Sequence, residues 1–125
     1  MVQADISQLS GECNTWREAL RQCKDEFTND KSRLQQVASQ PLSKDQLQQV
    51  EHLHNQFHIQ LINIHDLKQA IKAHDRKLGF EVSANSGQLN EDTVADHESI
   101  FEQYQTLQHT LQELRDEFNG FLNRT

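Results

Sequence analysis

Five of the seven histidines of the chain fall within one stretch, residues 47–78. They are His52, His54, His58, His65 and His74. Neutral imidazole is a common ligand of protein-bound metals. His54 and His58 are four residues apart, which places both rings on one face of a helix, and segment 51–54 reads Glu-x-x-His. One hypothesis is therefore a metal-binding helical bundle, although the third predicted helix offers no second Glu-x-x-His. The alternative is a solvated, histidine-rich helix face.

A second group of candidate ligands is expected where two predicted helices meet. Folding the chain about a loop at residues 80–89 brings His74 and Asp75 close to His97. Two imidazoles and a carboxylate can bind zinc if they converge. The metal candidates are therefore His54, His58, His74 and His97, and no cofactor is assigned.

The sequence offers no motif that predicts an enzyme. None of the histidines has a neighbouring Ser or Cys in a setting that suggests nucleophilic catalysis. The chain also lacks a glycine-rich phosphate loop and a Cys-x-x-Cys pair. We therefore expect a non-enzymatic protein.

Apolar residues recur at alternating steps of three and four in three long segments, which predicts three amphipathic helices. Their predicted bounds are about 5–39, 44–78 and 91–122. In the first, the apolar seam consists of Ile6, Leu9, Cys13, Trp16, Leu20, Cys23, Phe27, Leu34 and Val37, with Asp30 as a polar break. In the third, it consists of Ile100, Tyr104, Leu107, Leu111, Leu114, Phe118 and Phe121, with His97 at its start. The fold class is therefore all-α: an elongated, antiparallel (up-down-up) three-helix bundle with left-handed coiled-coil packing, forming a single domain over residues 1–125.

Local signals place the helix ends. Pro41 cannot continue a helix, and Ser43 to Gln46 has the Ser-x-x-Gln form of a capping box. Gly79 suits the left-handed position that follows a helix, so we expect the second helix to end there. Asn90 or Asp92 can cap the third helix.

Two kinds of polar residue on the first seam need an explanation. Because the chain folds back about Pro41, Asp30 is expected opposite His54. One hypothesis is that the two pair and fix the helix register, and the alternative is that Asp30 lies near a frayed helix end and is solvated. Cys13 and Cys23 are too far apart along one helix for a disulfide, so we interpret both as buried free thiols that act as small hydrophobic side chains.

The charge of the chain bears on its partners. The net charge is −7, which repels nucleic acid phosphate and acidic lipid, and no cluster of Lys and Arg offsets it. Nucleic acid and membrane partners are therefore not expected.

There is no pattern of a signal peptide and no apolar run of about 20 residues, so we expect a cytoplasmic protein.

Several apolar residues lie off the seams. Ile59, Ile62 and Ala73 fall on the face of the second predicted helix that is expected to be exposed to solvent. Phe101 lies off the seam of the third predicted helix. Scattered surface apolar residues are normal, but these four are candidates for a surface that binds a partner protein or a second copy of the chain.

Each predicted helix also carries a short pattern of its own. The first has Trp16 near its middle, and the second has a Leu-x-x-Val-x-x-Leu pattern at Leu47, Val50 and Leu53. The third has Tyr104, Leu107, Arg115 and Phe118. Together these residues resemble the helix patterns of spectrin-type repeats, the three-helix units of actin-crosslinking rods. The resemblance implies a rod-like module.

We therefore expect a protein-protein interaction or scaffold module that presents helical faces to a partner or to a second copy of itself. A histidine-based metal-binding bundle is the alternative, and a helical chaperone or co-chaperone is a further one.

Overall fold

The structure, a computed structural model, describes residues 6–84 and 89–125. It contains three helices, α1 (Ile6–Ala38), α2 (Lys44–Ala84) and α3 (Glu91–Arg124), and the described part of the chain has no strand. The protein is thus an all-α three-helix bundle, as the sequence predicted. None of the three helices is long and apolar enough to cross a membrane.

Contacts between side chains give the direction of each helix. Phe57 of α2 packs against Phe27 of α1, and Ser10, near the start of α1, bonds to Asp75, far along α2. These two helices are therefore antiparallel. Between α1 and α3 the contacts keep the same order, because Glu12 meets His97 and Glu26 meets Arg115. The topology is up-down-up.

The connection between α1 and α2 follows the local chemistry. The backbone N–H of Ser43 donates to Gln46 Oε1 at 2.8 Å, and the backbone N–H of Gln46 donates to Ser43 Oγ at 3.2 Å. This reciprocal capping box satisfies two donors that a helix start leaves unpaired. Asn90 caps α3 in a similar way, since its side chain accepts from the backbone N–H of Asp92.

The end of α2 differs from the prediction. Gly79 lies inside the helix, which continues to Ala84 and so includes residues 80–84 of the loop expected at 80–89. Leu78 is fully buried one residue earlier and anchors the helix at this point, and the propensity cost of one glycine is only about 1 kcal/mol, so the helix passes through Gly79. The predicted loop residues 85–88 and the predicted helix start at Asp5 lie outside the described residues.

Replacing Gly79 by alanine tests this correction. A Cβ at this position would meet no atom within 4 Å, so we expect Gly79→Ala to raise the free energy of unfolding by about 0.5–1 kcal/mol. Urea unfolding followed by circular dichroism measures the change. A loss of stability would instead indicate that Gly79 ends the helix in a left-handed conformation.

The core follows the predicted seams and is joined at its centre by three phenylalanines. The Phe57 ring lies edge-on to Phe27 of α1 and to Phe118 of α3, with centroid distances of 5.4 and 5.2 Å. All three side chains are buried. One aromatic cluster therefore links all three helices. The left-handed supercoil and the single-domain extent of 1–125 stay predictions.

Asp30 has a different partner from the one predicted. It is buried, and its Oδ2 lies 3.4 Å from Nε of Arg115 in α3, whereas the described residues include no ion pair between Asp30 and His54. Arg115 also contacts Glu26, with Nη1 2.7 Å from Oε2. Burial raises the pKa of Asp30 although the Arg115 guanidinium opposes that shift. The prediction considered only how α1 and α2 fold together. The partner of Asp30 is instead a long arginine side chain that comes from α3.

We expect Asp30→Leu to stabilise the protein at neutral pH by about 1–2 kcal/mol, because it replaces a buried carboxylate with a side chain that fits the seam. Since the folded-state pKa of Asp30 is raised, its contribution to stability is present below the ordinary value of 3.8 and is lost as the pH rises through the raised pKa. The gain from leucine should therefore be smaller at acid pH. Urea unfolding at two pH values measures both, with Asp25→Leu as the control that gains nothing, because Asp25 is an exposed aspartate on the same helix.

Candidate metal centre

Three metal-binding side chains meet inside the bundle, one from each helix. They are Cys13 of α1, His74 of α2 and His97 of α3, and their ligand atoms all lie within 4.8 Å of one another. All three residues are buried, with Cys13 completely shielded from solvent. We call this group the Cys-His-His cluster.

The helix seams position the cluster. Cys13 lies between Leu9 and Trp16 on the buried face of α1, at steps of four and three residues. His74 and His97 occupy equivalent seam positions of α2 and α3. A residue on a seam points towards the other two helices. Three polar seam residues at the same level of the bundle therefore lie close together.

The two imidazoles are in direct contact. Nε2 of His74 lies 2.9 Å from Nδ1 of His97, so one nitrogen donates a hydrogen bond to the other. The other nitrogen of His97, Nε2, is buried and makes no hydrogen bond, although Oε2 of Glu12 lies 3.5 Å away. The indole of Trp16 covers the His97 ring at a centroid distance of 4.8 Å. The His97 ring is thus fixed in place by its neighbours but incompletely bonded.

Asp75, the carboxylate predicted to join the two histidines, is used elsewhere. Its Oδ1 accepts a hydrogen bond from Ser10 Oγ at 2.8 Å, and its Oδ2 lies 3.6 Å from Nη2 of Arg17. The approach of His74 to His97 was predicted correctly, but the third member of the group is the Cys13 thiol.

Burial shifts the pKa values of Cys13 and His74. It raises the pKa of the Cys13 thiol to about 11, and the negative charge of Asp75 adds to this shift. Burial also lowers the pKa of His74, and the neighbouring His97 lowers it further. At neutral pH the cluster without a metal thus holds a thiol and a neutral His74, and a neutral imidazole can act as a metal ligand.

The arrangement fits a tetrahedral metal after small movements. Zinc bonds of about 2.0–2.3 Å place neighbouring ligand atoms roughly 3.3–3.7 Å apart. The present separations run from 2.9 Å for the two histidine nitrogens up to the 4.8 Å limit, so no ligand atom needs to move by much more than about 1 Å. Rotation of the side chains can supply this.

The other two predicted metal candidates do not belong to this cluster. His58 is exposed, and His54 is half-buried beside a cavity of about 350 Å³ between α1 and α2. Among residues 6–84 and 89–125, neither joins a group of three possible ligands. Their spacing on one helix face is as predicted, but no side chain from another helix completes a site.

The residues predicted to bind a partner lie in different places. Ile59 and Ile62 of α2 are 44% and 48% exposed. Ala73 borders a cavity of about 300 Å³ that is also lined by His74, and Phe101 stacks on Trp16 at a centroid distance of 5.6 Å. Ile59 and Ile62 therefore remain the pair with no role inside the bundle.

Cys13 was missed as a ligand because its position on an apolar seam favours a packing role. One signal could have found it. The same fold-back about Pro41 that places residue i near residue 83 minus i brings Cys13 to about residue 70, one helical turn from His74.

Comparisons of the chain with protein-family models, with curated proteins and with solved structures found no match.

Proposed function

We propose that this protein binds a divalent metal ion of the zinc class through Cys13, His74 and His97. The observation that carries the proposal is the convergence of three buried ligand atoms, each from a different helix, within 4.8 Å. A packed core has no need to place a thiol and two imidazoles together. The same three groups are common zinc ligands.

The chemistry of the donors supports the zinc class. One sulfur and two imidazole nitrogens suit zinc and cobalt better than calcium or magnesium, which prefer oxygen. A bound cation would reverse the effect of burial on Cys13 and hold it as the thiolate. Binding would tie the three helices together at one level, and three protein ligands leave a fourth position for water.

The test is a titration of the metal-free protein with cobalt(II), whose visible spectrum reports the ligands. We expect one cobalt per chain, a tetrahedral spectrum and a thiolate-to-cobalt charge-transfer band in the near ultraviolet. Elemental analysis after zinc loading and gel filtration should likewise give one zinc per chain.

Matched variants make this test specific. Cys13→Ala should abolish the charge-transfer band, while Cys23→Ala, which removes a half-buried thiol outside the cluster, should keep it. His74→Ala should weaken binding, while His54→Ala should not. Absence of tight cobalt and zinc binding by the wild-type protein would overturn the proposal, and so would a charge-transfer band that survives in Cys13→Ala.

A second candidate function is the protein-protein interaction or scaffold module expected from the sequence. It is favoured by Ile59 and Ile62, two large apolar side chains that are about half exposed and three residues apart on α2. Sedimentation equilibrium over a range of concentrations tests self-association. A dimer that Ile62→Lys dissociates would support it, and a monomer at high concentration would count against it. The spectrin-type resemblance and the chaperone alternative stay predictions.

A further inference from the structure

We propose that Glu12 is the positioning carboxylate of this metal centre: it accepts a hydrogen bond from Nε2–H of His97 and so turns Nδ1 of that ring towards the ion. The inference rests on the proposed metal-binding function. It concerns a residue outside the Cys-His-His cluster.

The contacts of His97 carry the argument. Nδ1 faces His74, whose Nε2 lies 2.9 Å away, while Nε2 faces Glu12, whose Oε2 lies 3.5 Å away. Nε2 is buried and makes no hydrogen bond within the described structure. A buried N–H without a partner is costly, and the Glu12 carboxylate is the acceptor that can remove the cost.

The position of Glu12 on its helix makes the movement easy. Glu12 directly precedes Cys13 in α1, so the two side chains reach the cluster from neighbouring positions on one turn. The Glu12 side chain is 38% exposed, and its torsions can change without disturbing the core. Closing the gap from 3.5 Å to about 2.8 Å gives a charge-assisted hydrogen bond.

The same geometry excludes Glu12 as the fourth ligand in this arrangement. The two nitrogens of an imidazole lie on different edges of the ring. A carboxylate bonded to Nε2 therefore cannot also reach an ion bonded to Nδ1. Carboxylates that bond to the outer nitrogen of a ligating histidine fix its tautomer and raise its basicity.

The hydrogen-bond chain then has a fixed direction. With Glu12 accepting from Nε2–H of His97, Nδ1 of His97 carries a lone pair, and in the metal-free protein it accepts from Nε2–H of His74. When the ion binds between them, His97 keeps its tautomer. His74 changes to the form with its proton on Nδ1, so that its Nε2 can also coordinate.

Asp75 and Asp96 are nearby carboxylates that could compete for this role, and both are already engaged. Asp96 pairs with Lys77, whose Nζ lies 3.2 Å from its Oδ2. Asp75 is held by two residues of α1. It accepts from Ser10 and faces Arg17, so it serves to hold α1 and α2 together. Glu98 is the matched control, because it directly follows His97 in α3 and its side chain is exposed.

The experiment measures zinc affinity by competition with a chromophoric chelator, and histidine tautomers by nitrogen-15 NMR. We expect Glu12→Ala to weaken zinc binding by about 10- to 100-fold, Glu12→Gln to weaken it less because the amide oxygen still accepts, and Glu98→Ala to leave it unchanged. The NMR spectrum of the metal-free wild-type protein should show His97 with its proton on Nε2, and Glu12→Ala should give a mixture of tautomers.

The outcomes separate this inference from the proposed function. If the wild-type protein binds zinc and Glu12→Ala binds it equally well, with the His97 tautomer unchanged, the role of Glu12 is overturned and the metal site stands. If the wild-type protein binds no zinc, the proposed function is overturned and this inference is overturned with it. Circular dichroism confirms that each variant remains helical.

Discussion

Zinc is expected to raise the free energy of unfolding of the wild-type protein by about 4 kcal/mol when free zinc exceeds its dissociation constant about 1,000-fold. The gain arises because the three ligands, one on each helix, come together only in the folded state. For a chain of this length it corresponds to a rise in melting temperature of roughly 10–20 °C. Thermal unfolding with zinc and with a chelator measures the difference.

The variants identify the source of this effect. Cys13→Ala should lose most of the zinc-dependent increment, and Cys23→Ala should retain it. An equal increment in Cys13→Ala and in the wild-type protein would mean that zinc binds elsewhere, for example at the exposed histidines of α2.

The pH dependence of zinc binding provides a second measurement of the same prediction. Burial holds the pKa of Cys13 at about 11, so the ion must displace a proton from the thiol at neutral pH. The apparent zinc affinity should therefore rise about tenfold per pH unit above the histidine range and level off as the pH approaches the thiol pKa. Proton release measured in two buffers by calorimetry should be about one per ion. Binding that does not change with pH in this range would contradict thiolate ligation.

Replacing Phe57 by alanine is expected to lower the free energy of unfolding by about 3–5 kcal/mol. Its ring is fully buried and lies edge-on to Phe27 and Phe118, so the substitution removes contacts with α1 and α3 at once and leaves a cavity between all three helices. The loss is a large part of the 5–15 kcal/mol that typically stabilises a domain.

Urea unfolding followed by circular dichroism measures this loss, and Phe80→Ala is the matched control. Phe80 also lies on α2 but is 76% exposed, so its truncation should change stability by less than about 0.5 kcal/mol. Similar effects of the two substitutions would contradict the assignment of Phe57 to the centre of the core.

Local rules explain which parts of the fold could be read from the sequence. The seams of the three helices, the capping box at Ser43 and the cap at Asn90 each depend on residues within a few positions of one another. The end of α2 was predicted wrongly, at Gly79, because a local signal was followed there although the helix continues to Ala84. Gly79 is a local signal to stop, but a glycine inside a helix costs only about 1 kcal/mol, and α2 continues past it from the buried Leu78.

The sequence by itself determined the all-α class, the number of helices, their antiparallel order and the approach of His74 to His97, because periodicity and a turn between two helices suffice for these. Only the tertiary structure decided that Cys13 completes the cluster, that Glu12 reaches the far side of His97 and that Arg115, not His54, pairs with Asp30. Each of these contacts joins α1 to residues more than 60 positions away in the chain. Their formation depends on the rotation of each helix and on the reach of its side chains, which no local pattern encodes.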